Sequence, residues 1–339
     1  MRVAIYGAGA MGTILGAYVA RAGKQIDLIN RNKAHIEALK KNGAHVVGTV
    51  DFVQPVRALF PEEITGKYDI IFLMTRQSQN REIVSSLQNF LSETGVICTT
   101  QNGLPEPLVA EIIGADRTYG CAVAWGATFI GEGKSELTSD PSALTFALGA
   151  YRYKKSDERL RKIKEYLECM GSVTVENNFI GARWSKLIIN AAFSGISTFT
   201  GLTFGAIARE ETGKRAALAV IREGITVANA SDVKLAKIQG HDVMKLLGYR
   251  TKLRKKISLK LLPLVMKKHE QLTSGMLYAL RQGKRCDVDY IDGVISEYGK
   301  KYGVRTPVCD KICAVVHEIE DGKRTICVEN LRDFTALIE

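Results

Sequence analysis

Residues 1–33, MRVAIYGAGAMGTILGAYVARAGKQIDLINRNK, contain the clearest indication of the fold. The first part, Arg2–Tyr6, has the composition of a buried strand, and the glycine-rich turn GAGAMG at 7–12 follows at once. Small and apolar residues then predict a helix over Thr13–Ala22, and Gln25–Ile29 predicts a second strand. This order of strand, glycine turn, helix and strand is the one that a dinucleotide-binding βαβ unit requires.

Each glycine of the turn has its own physical task. Gly7 permits the tight turn, Gly9 lets a pyrophosphate approach the backbone because it lacks a Cβ atom, and Gly12 lets the helix pack close to the strand. The N-terminus of the helix then offers N–H groups and the positive end of a dipole to the phosphates. We therefore expect a cofactor site rather than a purely structural turn, formed by Gly7, Ala8, Gly9, Ala10, Met11 and Gly12.

The end of the second strand indicates which dinucleotide binds. An NAD site usually has a carboxylate there, but Asp27 comes too early in the strand, and Asn30, Arg31 and Lys33 occupy its end. An arginine can pair with a 2′-phosphate and stack on adenine, whereas a carboxylate would repel that phosphate. The sequence therefore favours NADP(H), with Asn30 and Arg31 among its contacts. The alternative is that Arg31 and Lys33 are ordinary solvated side chains.

Polar residues also follow two later strands. The apolar run Tyr68–Met74 predicts a buried parallel strand, and Arg76 and Gln79 lie just past its end. Gly95–Thr100 predicts the next strand, which Asn102 follows. Ligands of open α/β sheets bind at this edge, so we expect Arg76 and Gln79 to contact the cofactor and Asn102 to contact cofactor or substrate. Because Asn-Gly is also common turn chemistry, a structural role for Asn102 stays open.

A chain of 339 residues is expected to form two domains. Residues 118–130 and 144–148 predict further strands, antiparallel and completing the sheet, and the pattern becomes mostly helical beyond Asn177. We place the boundary there. The predicted fold is an α/β N-terminal, Rossmann-type dinucleotide-binding domain over 1–177, followed by a mostly α-helical substrate and catalytic domain over 178–339.

The composition restricts the partners and the compartment. The net charge of +11 favours anionic ligands such as a phosphorylated cofactor or a carboxylate substrate. We expect no membrane association and a cytoplasmic location, because no apolar run approaches the length of a membrane span and the odd number of cysteines, seven, suggests free thiols. The segment Arg250–Lys268 contains eight cations and no acid. It predicts an amphipathic helix pair with a basic solvated face, or a surface for an acidic partner.

One helix of the second half carries a candidate acid. Lys186, Asn190 and Ser194 are spaced i, i+4 and i+8, so they share one face of a helix that is otherwise apolar. A lysine in such surroundings is costly to bury unless it is paired, and desolvation would lower its pKa toward values suited to proton donation. The alternative is a lysine whose aliphatic stem covers the core while its ammonium reaches water.

Two further patterns are a pair of acids before a helix and a helix face with two cysteines and a histidine. Asp287 and Asp289 precede a predicted helix, where they complement its dipole or anchor a substrate hydroxyl. Cys309, Cys313 and His317 share a helix face, but three ligands without a turn between them do not make a structural zinc site. We expect no metal.

Together these motifs resemble the ketopantoate reductase family. GAGAMG at 7–12, the pair Arg76 and Gln79, QNG at 101–103, WSKLIIN at 184–190 and DYIDG at 289–293 follow the family's order along nearly the whole chain. The resemblance implies that NADPH delivers a hydride to the ketone carbon of a 2-oxo acid. It also implies that Lys186 protonates the nascent alkoxide, and that Asn102 and Asn190 bind cofactor and substrate. Arg76 takes a position that is usually lysine, on the side of the cofactor phosphate.

Three substrate positions depart from the family's pattern. Ser194 stands where an asparagine is frequent, Gly275 stands where a serine commonly precedes Met276, and Asp287 aligns with a glutamate that holds the substrate hydroxyl. The resemblance still implies Asp287 as a catalytic-site residue beside Lys186. It implies substrate contacts from Asn102, Asn190, Ser194, Ser274 and Gly275.

Three functions remain to be distinguished. The first is the reduction of 2-dehydropantoate (ketopantoate) to pantoate for pantothenate synthesis. The second keeps the lysine chemistry and changes the substrate to another 2-oxo acid or carbonyl compound. The third is an NADP(H)-binding sensor or scaffold whose basic segment at 250–268 contacts nucleic acid or an acidic protein. Lys186 and Asn190 argue for catalysis, so nucleic acid is not the expected partner, and assembly as a homodimer stays open.

Overall fold

The chain divides into two compact units in a computed structural model that describes residues 1–238 and 240–338. Unit 1 comprises residues 1–101 and 105–179, and unit 2 comprises residues 102–104 and those from 180 onward. The boundary expected between 177 and 178 lies two residues before this division. No motif or change in composition at residues 102–104 predicted that they belong to the second unit.

Unit 1, all of whose residues are described, contains twelve strands in two sheets. The strands are β1 Val3–Tyr6, β2 Asp27–Ile29, β3 Ala44–Gly48, β4 Phe52–Gln54, β5 Arg57–Leu59, β6 Tyr68–Leu73, β7 Leu91–Thr99, β8 Thr118–Val123, β9 Ala127–Gly131, β10 Lys134–Leu137, β11 Thr145–Ala150 and β12 Ser172–Val175. The helices are α1 Ala10–Arg21, α2 Lys33–Asn42, α3 Asn80–Leu87, α4 Glu106–Ile113 and α5 Glu158–Leu167.

The main sheet has eight strands in the order β12-β11-β8-β7-β6-β1-β2-β5. Pairing is parallel throughout except between β8 and β11. The central strands are buried on both faces, which is why β6 is a continuous apolar run from Ile70 to Leu73. In the register, Tyr6 lies opposite Ile29 and Leu73, and Leu73 lies opposite Thr99, so the carboxyl ends of four strands meet at one edge.

The second sheet corrects part of the sequence prediction. The region 118–130 was expected to be antiparallel and to complete the main sheet, but β8 is parallel to β7, and β9 joins the separate sheet β4-β3-β10-β9. The reason is α4, which lies between β7 and β8. This helical crossover brings the chain back to the edge where β7 begins, so β8 runs parallel to β7. β11 is antiparallel to β8, as predicted. The second sheet packs on α1 through β3, β9 and β10.

The second half of the chain is helical. Its helices are α6 Phe179–Asn190, α7 Ile196–Thr200, α8 Phe204–Arg209, α9 Glu211–Ala230, α10 Val243–Leu247, α11 Lys252–Met266, α12 Gly275–Arg281, α13 Asp292–Tyr302, α14 Pro307–Glu320 and α15 Thr335–Ile338. α9 packs against α8, α11, α13 and α14, and its residues Ala217, Leu218 and Ile221 are fully buried. Among the described residues, no helix has the length and apolar character needed to cross a bilayer.

Two helical features differ from the sequence prediction. A π-helical segment at Ala191–Gly195 joins α6 to α7, so the α-helical periodicity assumed for Lys186, Asn190 and Ser194 ends after Asn190. The basic segment forms one helix, α11, with Pro263 inside it, rather than a helix pair. Ser258, Leu262 and Met266 are spaced i, i+4 and i+8 and form the buried face of α11, as expected for one amphipathic helix.

Candidate functional site

The glycine turn of unit 1 has the geometry that its sequence suggested. Gly7 has a φ of +101°, and a Cβ atom there would lie 2.7 Å from the Met74 carbonyl carbon. A Cβ on Gly12 would lie 2.7 Å from the Gly7 carbonyl oxygen, because α1 packs closely on the turn. A Cβ on Gly9 would meet no atom within 4 Å. The space over Gly9 is therefore open, as a pyrophosphate group requires.

The turn is fixed by backbone bonds and by one buried histidine. Gly7 N and Ala8 N both donate to the Ile29 carbonyl, at 2.9 and 3.0 Å, which ties the turn to the end of β2. His35, on α2, lies beneath it and accepts the Gly133 N–H on Nδ1 at 2.9 Å. The ring hydrogen must then sit on Nε2, which donates to the Ala8 carbonyl at 2.9 Å. His35 thus connects the turn to the second sheet.

His35 was not identified from the sequence. Burial is the main reason that its pKa lies below the ordinary value for histidine, although the bond to the Ala8 carbonyl and the nearby Glu132 act in the opposite direction. The imidazole is therefore neutral at neutral pH, as its acceptor role at Nδ1 requires. The only local signal was its place with Ile36 and Leu39 on the buried face of α2.

The sheet edge beside the glycine turn contains the residues expected to determine whether NAD(H) or NADP(H) binds. A cavity of about 380 Å³ opens there, lined by residues that include Asn30, Arg31, Arg76 and Gln79. Arg31 Nη2 donates to Gln79 Oε1 at 2.6 Å, so two of the residues predicted to contact the cofactor are hydrogen-bonded to each other. Asn30 Oδ1 accepts the Asn32 N–H at 2.9 Å and shapes the start of α2.

Asp27 cannot take the place of the carboxylate that an NAD site uses. It lies in β2 two residues before the end of the strand, is 5% exposed, and accepts bonds from Arg2 Nη2 at 3.0 Å and the Tyr68 hydroxyl at 2.7 Å. Burial and the bond to Asp27 raise the pKa of Tyr68, so Tyr68 stays a donor. The cavity edge therefore presents cations and amides, which suit an additional phosphate.

A buried amide pair stabilises the same edge; the sequence motif QNG included one member, Gln101, but did not predict its partner, Asn80. Gln101 and Asn80 exchange two bonds: Gln101 Nε2 donates to Asn80 Oδ1 at 2.7 Å, and Asn80 Nδ2 donates to Gln101 Oε1 at 2.9 Å. Gln101 Nε2 also donates to the Thr75 carbonyl at 2.7 Å. The pair joins the end of β7 to the loop that carries Arg76 and Gln79. With the open space at Gly9, this edge fits a dinucleotide.

In unit 2, Lys186 meets the asparagine that the sequence analysis assigned to the edge of the sheet. Lys186 Nζ donates to Asn102 Oδ1 at 3.3 Å. Asn102 precedes Gly103, whose φ of +82° makes the turn that follows β7. Lys186 is half-buried, unlike the fully buried Trp184, Ser185 and Leu187 around it. Its ammonium is therefore partly hydrated, less desolvated than the apolar pattern of the helix suggested.

Polar groups of α6, of the π-helical segment, of α7 and of the cap of α12 form a short hydrogen-bonded chain. Ser194 Oγ donates to Asn190 Oδ1 at 2.5 Å, across the start of the π-helical segment. Thr198 Oγ1 lies 2.6 Å from the Ser194 carbonyl and 3.1 Å from Ser274 Oγ. Ser274 is 3% exposed and caps α12, because its Oγ accepts the Met276 N–H at 3.1 Å. Ser274 was expected to contact substrate; in the structure it is buried and stabilises the start of α12 next to Gly275.

The other predicted substrate residues lie at the starts of helices. Gly275 is the exposed first residue of α12, and a Cβ there would meet no atom within 4 Å. Asp287 is half-buried and begins the 3₁₀ turn before α13. Asp289 is exposed and pairs with His317 Nε2 at 3.0 Å, so this aspartate has a surface partner. No group of three or more metal-ligating side chains occurs among the described residues.

Family comparisons cover both halves of the chain. The family model described as ketopantoate reductase PanE/ApbA matches residues 3–150, and the model of the C-terminal part of the same family matches residues 178–320. A 2-dehydropantoate 2-reductase of Pyrococcus horikoshii is 28% identical over 319 residues, covering 93% of this chain and 96% of the relative. One from Streptococcus pyogenes is 24% identical over 327 residues, covering 94% and 98%.

Solved structures share the fold at low identity. A ternary complex of D-mandelate dehydrogenase with NADH and anilino(oxo)acetate has a TM-score of 0.80 at 21% identity, covering 95% of this chain and 99% of that one. A ketopantoate reductase of the PanE/ApbA family from Ralstonia eutropha has a TM-score of 0.80 at 22% identity, with the same coverage. The predicted fold class, a Rossmann-type N-terminal domain followed by a helical domain, is confirmed.

Proposed function

This chain belongs to the ketopantoate reductase family, and we propose that it reduces 2-dehydropantoate to pantoate. It is an NADP-dependent oxidoreductase acting on a CH–OH group, and its cofactor is NADP(H). The proposal concerns the substrate and the residues that carry the reaction. The observation that supports it most is the bond from Lys186 to Asn102.

Lys186 is the proposed proton donor. The dihydronicotinamide, when bound, supplies the hydride that adds to the ketone carbon. Negative charge then develops on the ketone oxygen, where a fixed ammonium group stabilises it and transfers one proton to give the hydroxyl. Asn102 restrains the ammonium through its Oδ1 atom. Because Lys186 is half-buried, water can return the proton to the amine after each turnover.

Asn190 and Ser194 are proposed to hold the substrate with Asn102. The Ser194 hydroxyl donates to Asn190 Oδ1, which leaves the Asn190 Nδ2 group as a donor for a substrate carboxylate or hydroxyl. Ser274 supports Gly275 from behind through the cap of α12. Asp287 is proposed as an acceptor for the substrate hydroxyl, the role that the family resemblance implies.

The glycine turn and the cationic edge are proposed to hold NADP(H). The N–H groups of Ala10, Met11 and Gly12 lie in the first turn of α1, which leaves them without helical acceptors for binding the pyrophosphate. Arg31 and Arg76 supply the charges for the 2′-phosphate. Asn30 and Gln79 are proposed to contact the adenosine side of the cofactor.

A second candidate is the reduction of a different 2-oxo acid with the same lysine chemistry. The observation in its favour is the open space at Gly275, where a side chain would meet nothing within 4 Å. In this second proposal, the substituent of a larger substrate occupies the space beside Gly275. The Gly275→Ser variant would then accept large 2-oxo acids less well while keeping its rate with 2-dehydropantoate.

We propose a cytoplasmic location and leave the assembly to experiment. The cysteines Cys169, Cys286, Cys313 and Cys327 are free and partly accessible thiols, which suits a reducing compartment. The solved ketopantoate reductase of Staphylococcus aureus is described as dimeric. Sedimentation of this chain would show whether it is a homodimer as well.

The Lys186→Ala variant tests the proposed acid. We expect kcat to fall about 100-fold or more, the scale of general-acid contributions, while the Kd for NADPH changes little. Lys300→Ala is the matched control, since Lys300 is an exposed lysine on α13 of the same unit. A Lys186→Ala enzyme with normal kcat would show that the lysine is structural.

A further inference from the structure

Unit 2 contains a basic cavity that the proposed reaction does not use. Its volume is about 840 Å³, within the roughly 300–1,000 Å³ typical of small-molecule sites. Four cationic side chains line it, and Tyr249 and Asn229 lie beside them; the four are Arg222, Lys245, Arg250 and Arg254. None of these residues belongs to the glycine turn or to the Lys186 helix, so the cavity is a separate feature of the chain.

The basic cavity explains part of the cationic segment that the sequence singled out. Arg222 and Asn229 lie about two turns apart on α9, and the connection from α10 to α11 contains Arg250. Arg254 comes from the first turn of α11. The segment therefore divides: two of its arginines line the cavity, while Lys256, Lys260, Lys267 and Lys268 are exposed outside it.

Two of the cavity's arginines are held in place by their neighbours. Arg254 Nη2 donates to the carbonyls of Lys245 and Leu246, at 2.8 and 3.1 Å, at the C-terminal end of α10. Both bonds use Nη2. Within residues 1–238 and 240–338 no hydrogen bond from Nη1 or Nε of Arg254 occurs, so these donors are available to a ligand. The Arg222 guanidinium lies over the Tyr249 ring, 5.4 Å from its centroid. Restrained arginines of this kind suit bidentate recognition of phosphate.

The charge of the basic cavity is not neutralised by the part of the chain that the structure describes. None of its four cations forms an ion pair with a carboxylate of residues 1–238 or 240–338. Two acids are close in sequence to these cations, and neither lines the cavity. Glu223 accepts the Val308 and Cys309 N–H groups at 2.9 and 3.0 Å, and Asp242 accepts the Lys245 N–H at 3.0 Å as the cap of α10. Like charges around a concave surface focus a positive potential into it.

An adjoining cavity continues the same surface. Its volume is about 450 Å³, and it shares Arg222, Thr226 and Tyr249 with the basic cavity. Lys255 lies in this second cavity and donates to the Ile338 carbonyl at 2.9 Å. Burial lowers the pKa of Lys255, and the charges of Arg215 and Arg222 lower it further. Glu223 also lines this second cavity, and its carboxylate is held by the N–H groups of Val308 and Cys309.

We propose that the basic cavity binds a small organic phosphate, with its phosphate groups on Arg250, Arg254 and Lys245 and its organic part beside Tyr249. Four cations call for a ligand with more than one negative charge, which a polyphosphate provides and a simple carboxylate does not. The concave shape and volume favour a small molecule over nucleic acid, which requires a basic surface that follows its backbone. This assignment does not depend on the identity of the 2-oxo acid.

Calorimetric titration of the NADPH-saturated chain tests the proposal. The two probes are inorganic tripolyphosphate and ATP, and saturation with NADPH keeps both from the dinucleotide site. The test variant is Lys245→Gln with Arg250→Gln, both exposed in the cavity. The control is Lys256→Gln with Lys260→Gln, exposed residues of α11 outside it, which removes the same charge.

We expect saturable binding of tripolyphosphate that the test variant weakens by about 100-fold, roughly tenfold for each lost charge-assisted contact, and that the control leaves nearly unchanged. ATP should bind more tightly than tripolyphosphate because its adenosine contacts the wall at Tyr249. Absence of saturable binding, or equal loss in both double variants, would overturn the site. Tighter binding of a DNA duplex than of either probe would assign the surface to nucleic acid instead, and ATP binding more weakly than tripolyphosphate would refute the place given to the organic part.

Discussion

The glycine turn of unit 1 and the Lys186 helix of unit 2 position their polar groups in different ways. The turn is defined by backbone atoms and by missing side chains: Gly7 N and Ala8 N share the Ile29 carbonyl, and Gly12 has no room for a Cβ atom. The helix is defined by pairs of side chains, Lys186 with Asn102 and Ser194 with Asn190. One added methyl group can therefore damage the turn at Gly7 or Gly12, whereas the helix depends on which side-chain partners are present.

The first way to test this comparison is Gly7→Ala, for which we expect the largest effect. The positive φ and the 2.7 Å approach to Met74 should together cost about 3 kcal/mol of stability in unit 1 and abolish NADPH binding. Gly9→Ala is the control, because a Cβ there meets nothing. It should fold normally, with a free energy of unfolding within about 1 kcal/mol of the original, and bind NADPH more weakly. Chemical denaturation and NADPH titration give both quantities; equal stability of the two variants would contradict this account of the turn.

The second test concerns the cationic edge beside the turn. Arg31→Glu should lower the ratio of kcat/KM for NADPH over NADH by about 10- to 100-fold, since it removes a charge-assisted contact and adds repulsion at the 2′-phosphate. Lys155→Glu makes the same charge change on an exposed residue of unit 1 and should leave the ratio alone. An unchanged ratio in Arg31→Glu would remove that arginine from the phosphate site.

The third and smallest effect is the pH dependence that His35 gives to unit 1. Its pKa is lower in the folded chain than in the unfolded chain, chiefly because of burial. The unfolded state therefore binds the proton first, and the contribution to stability is complete above about pH 6.5 and is lost as the pH falls toward the folded pKa. Melting curves should show a larger loss on acidification for the original chain than for His35→Gln. Parallel pH profiles would mean that the imidazole does not need to be neutral.

The sequence was sufficient for features that depend on local pattern. The βαβ order and the three glycines predicted the fold class, and the motif order predicted the family and its cofactor. The residue roles at the site stay predictions. Contacts between distant segments were not predictable: His35 depends on Gly133, which lies 98 residues away, and Gln101 depends on Asn80. The π-helical segment has no signature either, because its alanines suit an α-helix equally well.

The most direct test of the central claim is the oxidation of NADPH by the purified chain with 2-dehydropantoate and a panel of other 2-oxo acids. We predict fast, saturable turnover of 2-dehydropantoate, with pantoate as the product. In that case Ser194, Gly275 and Asp287 are tolerated variations of the family's pocket. Tight NADPH binding without turnover of 2-dehydropantoate, together with turnover of another 2-oxo acid, would contradict the substrate and leave the lysine chemistry standing.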